Sequence, residues 1–289
     1  MKKNDIPVKV LVMCLSDPGG DPRPRRAVEL CAQLGFDVSV MGYPTGRTFA
    51  FHSYYPLPSP SSSVLHKILR RLWGIVGVLM PSERGRVFCE KKRFSLAGAK
   101  AALAGERFDI LIVEDLQLLP LAFEVRGDGK ILFDAREYYP RQNEGDLWFD
   151  VFEKPRRVQL CRDYLPQCDA VVTVSEGLRR EFLKEFGVDA EVYRSTPLYV
   201  DHPVHPTDPE RIRMVYHGAA NRNRRIENLI EIVSLLDDRF SLDLILTGNL
   251  RYQQELRRKA SSMKRVAFRD PVPIEEIIPT IGQYDVGFF

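Results

Sequence analysis

The sequence lacks the cysteine pattern of a disulfide-stapled or zinc-binding protein. Its five cysteines are an odd number and form no CxxC pair, which suits neither a disulfide framework nor a structural zinc site. The N-terminus enters an apolar stretch at Val8, and no small-residue cleavage site follows, which argues against a secretory signal peptide. We therefore expect a protein of the reducing cytoplasm.

Several other signatures are missing. The turn Ser16 to Arg26 is neither GxGxxG nor a Walker loop, so it predicts neither NAD nor ATP. The apolar run Leu72 to Met80 falls short of the roughly 20 residues that span a bilayer. His202 and His205 lie close together, but no cysteine or third histidine accompanies them. We expect no cofactor and no metal.

What is present describes a globular protein with regional charge. The 289 residues, 44% hydrophobic and 28% charged, fit about two domains. Between Val64 and Arg93 there are eight basic and two acidic residues, whereas the whole chain carries only +3. Because this basic segment lacks interleaved aromatic residues, we expect no nucleic-acid partner.

The same segment has an amphipathic helical pattern. Lys67, Arg70 and Arg71 fall on its polar side, opposite an apolar stripe that runs from Val64 to Leu79. One interpretation is a helix that lies on an anionic membrane surface. The other is a helix that packs its apolar face on its own domain.

Strand and helix patterns alternate along the chain and predict an α/β fold with parallel sheets covered by helices. The predicted strands are Val8–Leu15, Phe36–Met41, Ile110–Glu114, Lys130–Asp134, Ala170–Ser175, Ala190–Arg194, Ile212–His217, Leu242–Thr247, Val266–Phe268 and Asp285–Phe289. A proline-rich stretch interrupts the alternation before it restarts. We predict one Rossmann-like domain over residues 1–196, a linker over 197–210 and a second domain over 211–289.

Each predicted domain has a small-residue turn after its first strand. In the second domain, His217 and Gly218 precede Arg222, Arg224 and Arg225 at the start of a helix. Helix N-termini attract anions, so this turn suits a diphosphate, the alternative being a solvated basic turn. In the first domain, Gly19 and Gly20 would let the backbone approach a ligand, or would simply form a tight turn. A helix is predicted to follow from Ala27, with Leu34 facing inward and Gly35 as its end.

Five segments in register are similar to a known family. They are Asp21 to Val40, Asp134 to Tyr139, Ala170 to Glu176, Tyr216 to Gly218 and Leu246 to Gly248. Together they resemble a family-4 type glycosyltransferase of GT-B fold. The resemblance implies transfer of a sugar from a nucleotide sugar, with retention at the anomeric carbon and without a metal, in a cleft between two Rossmann-like domains.

The resemblance also assigns residues. Gly218, Arg224 and Arg225 match the donor-diphosphate site, and Gly19 and Gly20 match the loop near the donor sugar and acceptor. Arg136 stands where relatives often have a histidine, and arginine stays protonated and cannot act as a base.

The acidic candidates for orienting acceptor hydroxyls are Glu114, Asp115 and Glu137, the alternative being that they cap helices. Relatives continue beyond the position of Phe289 with a helix whose acidic pair holds the donor, so the resemblance implies a chain truncated within its second domain.

The resulting hypothesis is a hexosyltransferase that acts on a lipid-linked or polysaccharide acceptor. It would be cytoplasmic, and peripheral at the inner face of the membrane if the basic helix binds lipid. Two alternatives remain: a nucleotide-sugar epimerase of the same fold, and a non-catalytic remnant that binds a membrane or partner.

Overall fold

The computed structural model describes residues 7–47, 50–59, 63–196, 199–201, 203, 206–273 and 276–288. The chain forms two compact units, Met1–Thr196 and Pro197–Phe289, which are called unit 1 and unit 2 below. Each has a parallel sheet and its own hydrophobic core. The predicted α/β fold with two parallel sheets flanked by helices is therefore confirmed.

Unit 1 is built on a seven-stranded sheet in the order β3-β2-β1-β4-β5-β6-β7. Every neighbouring pair is parallel. The strands are β1 (Lys9–Met13), β2 (Asp37–Gly42), β3 (Ser53–Pro56), β4 (Ile110–Val113), β5 (Lys130–Ala135), β6 (Ala170–Thr173) and β7 (Glu191–Val192).

The central strand β1 is buried on both faces of the sheet. Leu11 and Met13 belong to one hydrophobic cluster, and Val10 and Val12 belong to another. Because side chains alternate between the two faces of a strand, these clusters are the two layers that cover the sheet. The run Lys-Val-Leu-Val-Met is apolar throughout for this reason.

The helices of unit 1 connect these strands. They are α1 (Pro22–Gln33), α2 (Val64–Leu79), α3 (Glu83–Arg93), α4 (Ala99–Ala102), α5 (Leu119–Val125), α6 (Lys154–Tyr164) and α7 (Glu176–Phe186). A short π-helix, Phe149–Glu153, precedes α6. Helices α2 and α3 pack closely because Gly74 and Gly77 are the buried positions of α2.

Unit 2 has a four-stranded parallel sheet in the order β10-β9-β8-β11. Its elements are β8 (Ile212–Ala219), α8 (Ile226–Leu235), β9 (Phe240–Thr247), α9 (Leu250–Lys259), β10 (Val266–Arg269), α10 (Ile277–Ile281) and β11 (Val286–Phe288). Ile226, Ile230 and Val233 of α8 are buried in its core, as their helical spacing predicts.

Three local predictions differ from the structure. Strand β3 was not predicted, because Ser-Tyr-Tyr-Pro is short and ends in proline. Helix α1 begins at Pro22, before the predicted start near Ala27, because Asp21 caps it and prolines are tolerated in a first turn. Leu34, expected to face inward, is 61% exposed at the end of α1, where the chain turns at Gly35 with φ +79°.

Candidate functional site

Both sheets reverse their strand order beside their first strand. In unit 1 the reversal lies between β1 and β4, and in unit 2 it lies between β8 and β11. Parallel sheets of this kind bind ligands beyond the carboxyl ends of the strands at such a point. The residues that follow β1, β4 and β8 are therefore the candidate ligand-binding residues.

At the unit 1 reversal, Arg136 joins two loops. Its guanidinium donates to Asp21 at 2.8 Å and to Asp115 at 3.4 Å. The other oxygen of Asp115 accepts the backbone N–H of Leu15 at 2.6 Å. Burial disfavours the charge of Arg136, but Asp115 and Asp21 outweigh it and raise its pKa. Arg136 therefore stays cationic and braces the carboxyl ends of β1 and β4.

A second arginine is buried below this edge. Arg23, in the first turn of α1, donates from Nε to Asp134 at 2.5 Å and pairs with the same carboxylate through Nη2. Only 7% and 6% of the two side chains is exposed. The sequence did not predict this pair, because Arg23 lies in a stretch of prolines and arginines that resembles a surface loop. The signal that could have revealed it is the helix cap at Asp21, which places Arg23 in the first turn of α1.

Glu114 differs from the other two acidic candidates. It is completely buried, and neither carboxyl oxygen has a hydrogen-bond partner among the described residues. Burial first, and the nearby Asp134 carboxylate second, raise the pKa of Glu114 to about 8. Its backbone carbonyl accepts a hydrogen bond from Tyr139 at 3.0 Å. Glu114 thus lies beneath the edge rather than on its surface.

Asp115 and Glu137 do line a cavity of about 420 Å³ at this edge, together with Arg136. Glu137 is exposed, and Asp115 is half-buried and held by Arg136 and Leu15. Burial raises the pKa of Asp115 against the opposing charge of Arg136. Of the three acidic candidates, these two are accessible from the cavity.

The glycine turn after β1 is held by Asp17. Its carboxylate accepts the N–H of Gly19 at 2.9 Å, and its carbonyl accepts the N–H of Gly20 at 3.0 Å. A Cβ on Gly20 would lie 2.8 Å from the Asp17 carboxylate. A side chain at position 20 would therefore require the Asp17 carboxylate to shift.

In unit 2, β8 extends through His217 to Ala219, two residues beyond its predicted end. Gly218 has φ +153°, a conformation that side-chain-bearing residues rarely adopt. His217 is half-buried, and burial lowers its pKa. The strand therefore delivers the following basic turn to the carboxyl edge of the sheet.

The three arginines of that turn have different surroundings. Arg222 pairs with Glu255 at 2.5 Å and lies 4.8 Å from the centroid of the Tyr252 ring, so it is held by α9. Arg224 and Arg225 are exposed and have no ion pair with any residue that the structure describes. Arg225 has left-handed backbone angles, φ +47° and ψ +48°, directly before α8.

The basic helix α2 leaves its first half uncovered. Every residue from Val64 to Leu72 is exposed, including Leu65 at 64% and Leu72 at 50%. Arg70 lies 5.1 Å from the centroid of the Phe94 ring, and Arg71 lies 5.1 Å from that of Trp148. The expectation that this stripe packs on its own domain therefore does not hold for the first half of α2.

The described part of the chain lacks both a metal-binding cluster and a membrane-spanning helix. It contains no group of three or more histidine, cysteine, aspartate or glutamate side chains suited to a metal ion. It also contains no helix with the length and hydropathy to cross a bilayer. His202 and His205 lie outside the described residues.

The two units, each a parallel sheet flanked by helices, match solved structures of GT-B fold. Among solved structures, HepE of Anabaena with UDP and glucose matches with a TM-score of 0.58 at 13% identity, over 97% of this chain and 73% of that one. A glycosyltransferase of Rickettsia africae matches with 0.56 at 10% identity, over 97% and 72%. The lipopolysaccharide outer core galactosyltransferase WaaB matches with 0.53 at 12% identity, over 94% and 71%. No family model and no curated protein matches the sequence.

Proposed function

We propose that this protein is a glycosyltransferase that takes a hexose from a nucleotide sugar, with retention at the anomeric carbon and without a metal. The observation that carries the proposal is the pair of exposed arginines, Arg224 and Arg225, at the start of α8 and at the sheet reversal of unit 2. The UDP and UDP-glucose complexes of the similar protein HepE support a nucleotide sugar as the donor.

The donor site would work by stabilising charge. The first residues of α8 lie at the positive end of the helix dipole. Arg224 and Arg225 add two cations beside them. When the glycosidic bond breaks, negative charge develops on the leaving diphosphate, and these groups stabilise it. Gly218 keeps side-chain bulk away from the same edge.

The acceptor side would lie at the carboxyl edge of unit 1. Asp115 and Glu137 line its cavity and would accept hydrogen bonds from sugar hydroxyls, Asp115 in addition to those from Leu15 and Arg136. Arg136 fixes Asp115 in position and is no base, because it remains protonated. Glu114 is buried too deeply to touch an acceptor, so its role is to set the electrostatics beneath Asp115 and Asp134.

The acceptor is proposed to be lipid-linked or a polysaccharide, with the protein on an anionic membrane surface. The exposed leucines and the cations Lys67, Arg70 and Arg71 of α2 support this, because such a helix face suits the boundary of an anionic bilayer. Replacing the three cations by glutamate should abolish binding to phosphatidylglycerol vesicles. Unchanged binding would remove the membrane from the proposal.

The donor proposal is tested by charge reversal. Arg225→Glu should weaken UDP binding at least about tenfold, as expected when a charge-assisted hydrogen bond is lost. The matched control is Arg258→Glu, an equally exposed arginine near the C-terminal end of α9, at the opposite edge of the sheet. Calorimetric titration of the full chain measures both. Equal affinity for UDP in the two variants would count against the site.

A further inference from the structure

Three cavities of unit 1 share two arginines in their walls. They measure about 420, 460 and 400 Å³, and Arg70 and Arg93 line all three. Lys67 lines the second and third. We call this set of cavities the basic recess. It extends from the exposed half of α2 to Asp115 and Glu137 at the carboxyl edge of the sheet.

The walls of the recess are strongly cationic under α2. The second and third cavities have no acidic residue among their described lining, which includes Lys67, Arg70, Arg71, Lys92 and Arg93. Acidic side chains line only the first cavity, where Asp115 and Glu137 lie at the sheet edge and Glu153 lies below. The positive charge is therefore concentrated in the part of the recess below the first half of α2.

A buried cluster of ion pairs beneath the recess also carries a net positive charge. It contains the guanidiniums of Arg93, Arg156 and Arg157 and the carboxylates of Glu90 and Glu153. Three cations thus face two buried anions, with the exposed carboxylate of Glu137 near Arg157 at the cavity wall. Burial is costly for a charge without full compensation, so the cluster favours an additional anion nearby.

Arg93 shows the imbalance most clearly. Its side chain is only 7% exposed and pairs with Glu153, but its Nε and Nη1 atoms are buried without a hydrogen-bond partner among the described residues. Burial first, and the neighbouring Arg156 second, lower the pKa of Arg93. An anion in the recess would offset both effects.

The aromatic ring of Phe94 holds two of the cations together. Arg70 lies 5.1 Å and Arg93 lies 5.4 Å from its centroid. Stacking on a ring fixes the plane of a guanidinium, and the planar fork of arginine matches two oxygens of a phosphate. The exposed fork of Arg70, beside the buried charge of Arg93, suits a phosphate or diphosphate.

We propose that the basic recess binds the phosphate or diphosphate group of the acceptor, through Arg70, Lys67 and the charge of Arg93. The assignment of this phosphate to the acceptor rests on the proposed function, whereas phosphate binding at the recess does not. The first cavity joins these cations to Asp115 and Glu137, so a phosphate held under α2 would place the attached sugar toward the carboxyl edge.

Pyrophosphate is the probe, and the two tryptophans provide the signal. Trp73 lines the second cavity and Trp148 the third, and the chain has only these two. Titration of the full chain with pyrophosphate should change tryptophan fluorescence saturably. Arg70→Gln and Lys67→Gln should each weaken this response about tenfold. The control Arg84→Gln removes an exposed arginine of α3 that lines none of the three cavities and should bind as the unmodified protein does.

The source of the phosphate is decided with vesicles of phosphatidylcholine, with and without phosphatidic acid. Binding to phosphatidic acid vesicles that pyrophosphate displaces assigns the recess to a lipid headgroup. Pyrophosphate binding without vesicle binding assigns it to a soluble phosphorylated glycan. Absence of a saturable fluorescence response, or equal affinity in the Arg70, Lys67 and Arg84 variants, overturns the proposal.

The outcome of this experiment does not depend on the outcome of the donor test. Unit 2 contains no tryptophan, and Arg225→Glu should leave the pyrophosphate response unchanged. Pyrophosphate binding at the recess without Arg225-dependent binding of UDP would support the phosphate site and contradict the proposed donor site.

Discussion

Arg225 combines a strained backbone with an exposed charge. Within the described chain, only Ser95 and Arg225 have positive φ without being glycine. A left-handed conformation costs an L-residue roughly 1–2 kcal/mol. Such strain at an exposed arginine suggests that the position serves binding rather than stability.

Replacing Arg225 by glycine should therefore separate stability from binding. We expect Arg225→Gly to make unit 2 more stable than Arg224→Gly does, by about 1 kcal/mol, because only residue 225 has left-handed angles. Both variants remove one positive charge, so both should bind UDP more weakly. Thermal unfolding by circular dichroism, with calorimetric UDP titration, measures the two effects. Equal unfolding midpoints would contradict the strain argument.

Glu114 should make the stability of unit 1 depend on pH. Its pKa is about 8 in the folded protein and 4.5 as the ordinary value. Folding therefore takes up a proton between these values, so the stabilising contribution is complete below pH 4.5 and is lost as the pH rises to about 8.

Glu114→Gln mimics the protonated form at every pH. At pH 8 it should be more stable than the unmodified protein, by about 4 kcal/mol for a pKa raised from 4.5 to about 8, and at pH 5 the difference should fall below about 1 kcal/mol. Urea unfolding followed by the fluorescence of Trp73 and Trp148 measures this. Glu106→Gln, at an exposed position, is the control. A constant difference between pH 5 and pH 8 would refute the buried-carboxyl explanation.

At the scale of elements, the contact between α2 and α3 depends on glycine. A Cβ at Gly77 would lie 3.2 Å from the Cβ of Cys89. Across the same interface the rings of Trp73 and Phe88 meet edge to face, with centroids 5.8 Å apart. This close packing fixes α2 in place while its first half remains exposed.

A larger side chain at position 77 should force these helices apart. Gly77→Leu is expected to destabilise unit 1 by about 1–3 kcal/mol, the usual cost of overpacking. Gly177→Leu is the matched control, because Gly177 lies in α7 with only Ser175 Oγ, 3.8 Å away, near its Cβ position. There the better helix propensity of leucine should give a small gain. Urea unfolding by tryptophan fluorescence compares them, and equal losses would refute the packing argument.

The sequence predicts the elements of this fold better than their surroundings. Apolar runs such as Val10 to Met13 locate buried strands, because burial on both faces requires an unbroken apolar run. The spacing of α8 likewise predicts which residues it buries. Strand β3 escaped prediction because its pairing with β2 comes from the sheet and not from its own pattern.

The candidate sites show the same division. The basic turn of unit 2 is visible in the sequence, but the pairing of Arg222 with Glu255, 33 residues later, is not. The burial of Glu114 could not be predicted either, since it depends on neighbouring strands and loops that the chain brings together only on folding. The recess is similarly hidden, because Arg93 and Glu153 are 60 residues apart.

At the scale of the whole molecule, the two units can be observed separately. Each has its own hydrophobic core, and both tryptophans lie in unit 1. UDP bound at α8 should stabilise unit 2 by about 2.7 kcal/mol at a hundredfold excess over its dissociation constant. Tryptophan fluorescence should not report this change, because unit 2 has no tryptophan.

Circular dichroism reports the unfolding of both units, and we expect UDP to raise the unfolding temperature of the part of this signal that comes from unit 2. The unfolding midpoint of unit 1, followed by tryptophan fluorescence, should stay constant. Pyrophosphate should move the fluorescence midpoint instead. Arg225→Glu should reduce the effect of the same UDP concentration to about half or less, as a tenfold loss of affinity requires, and preserve that of pyrophosphate. A fluorescence midpoint that rises with UDP in the unmodified protein would contradict separate sites.

The central place of β1 has a consequence for biosynthesis. One side of β1 pairs with β2 soon after it leaves the ribosome, but the other side waits for β4, about 100 residues later. At roughly 5–20 residues per second, this apolar strand lacks its β4 partner for about 5–20 s. The nascent chain is thus most prone to aggregate during this interval, and chaperone capture of ribosome-bound chains should decline once β4 has emerged.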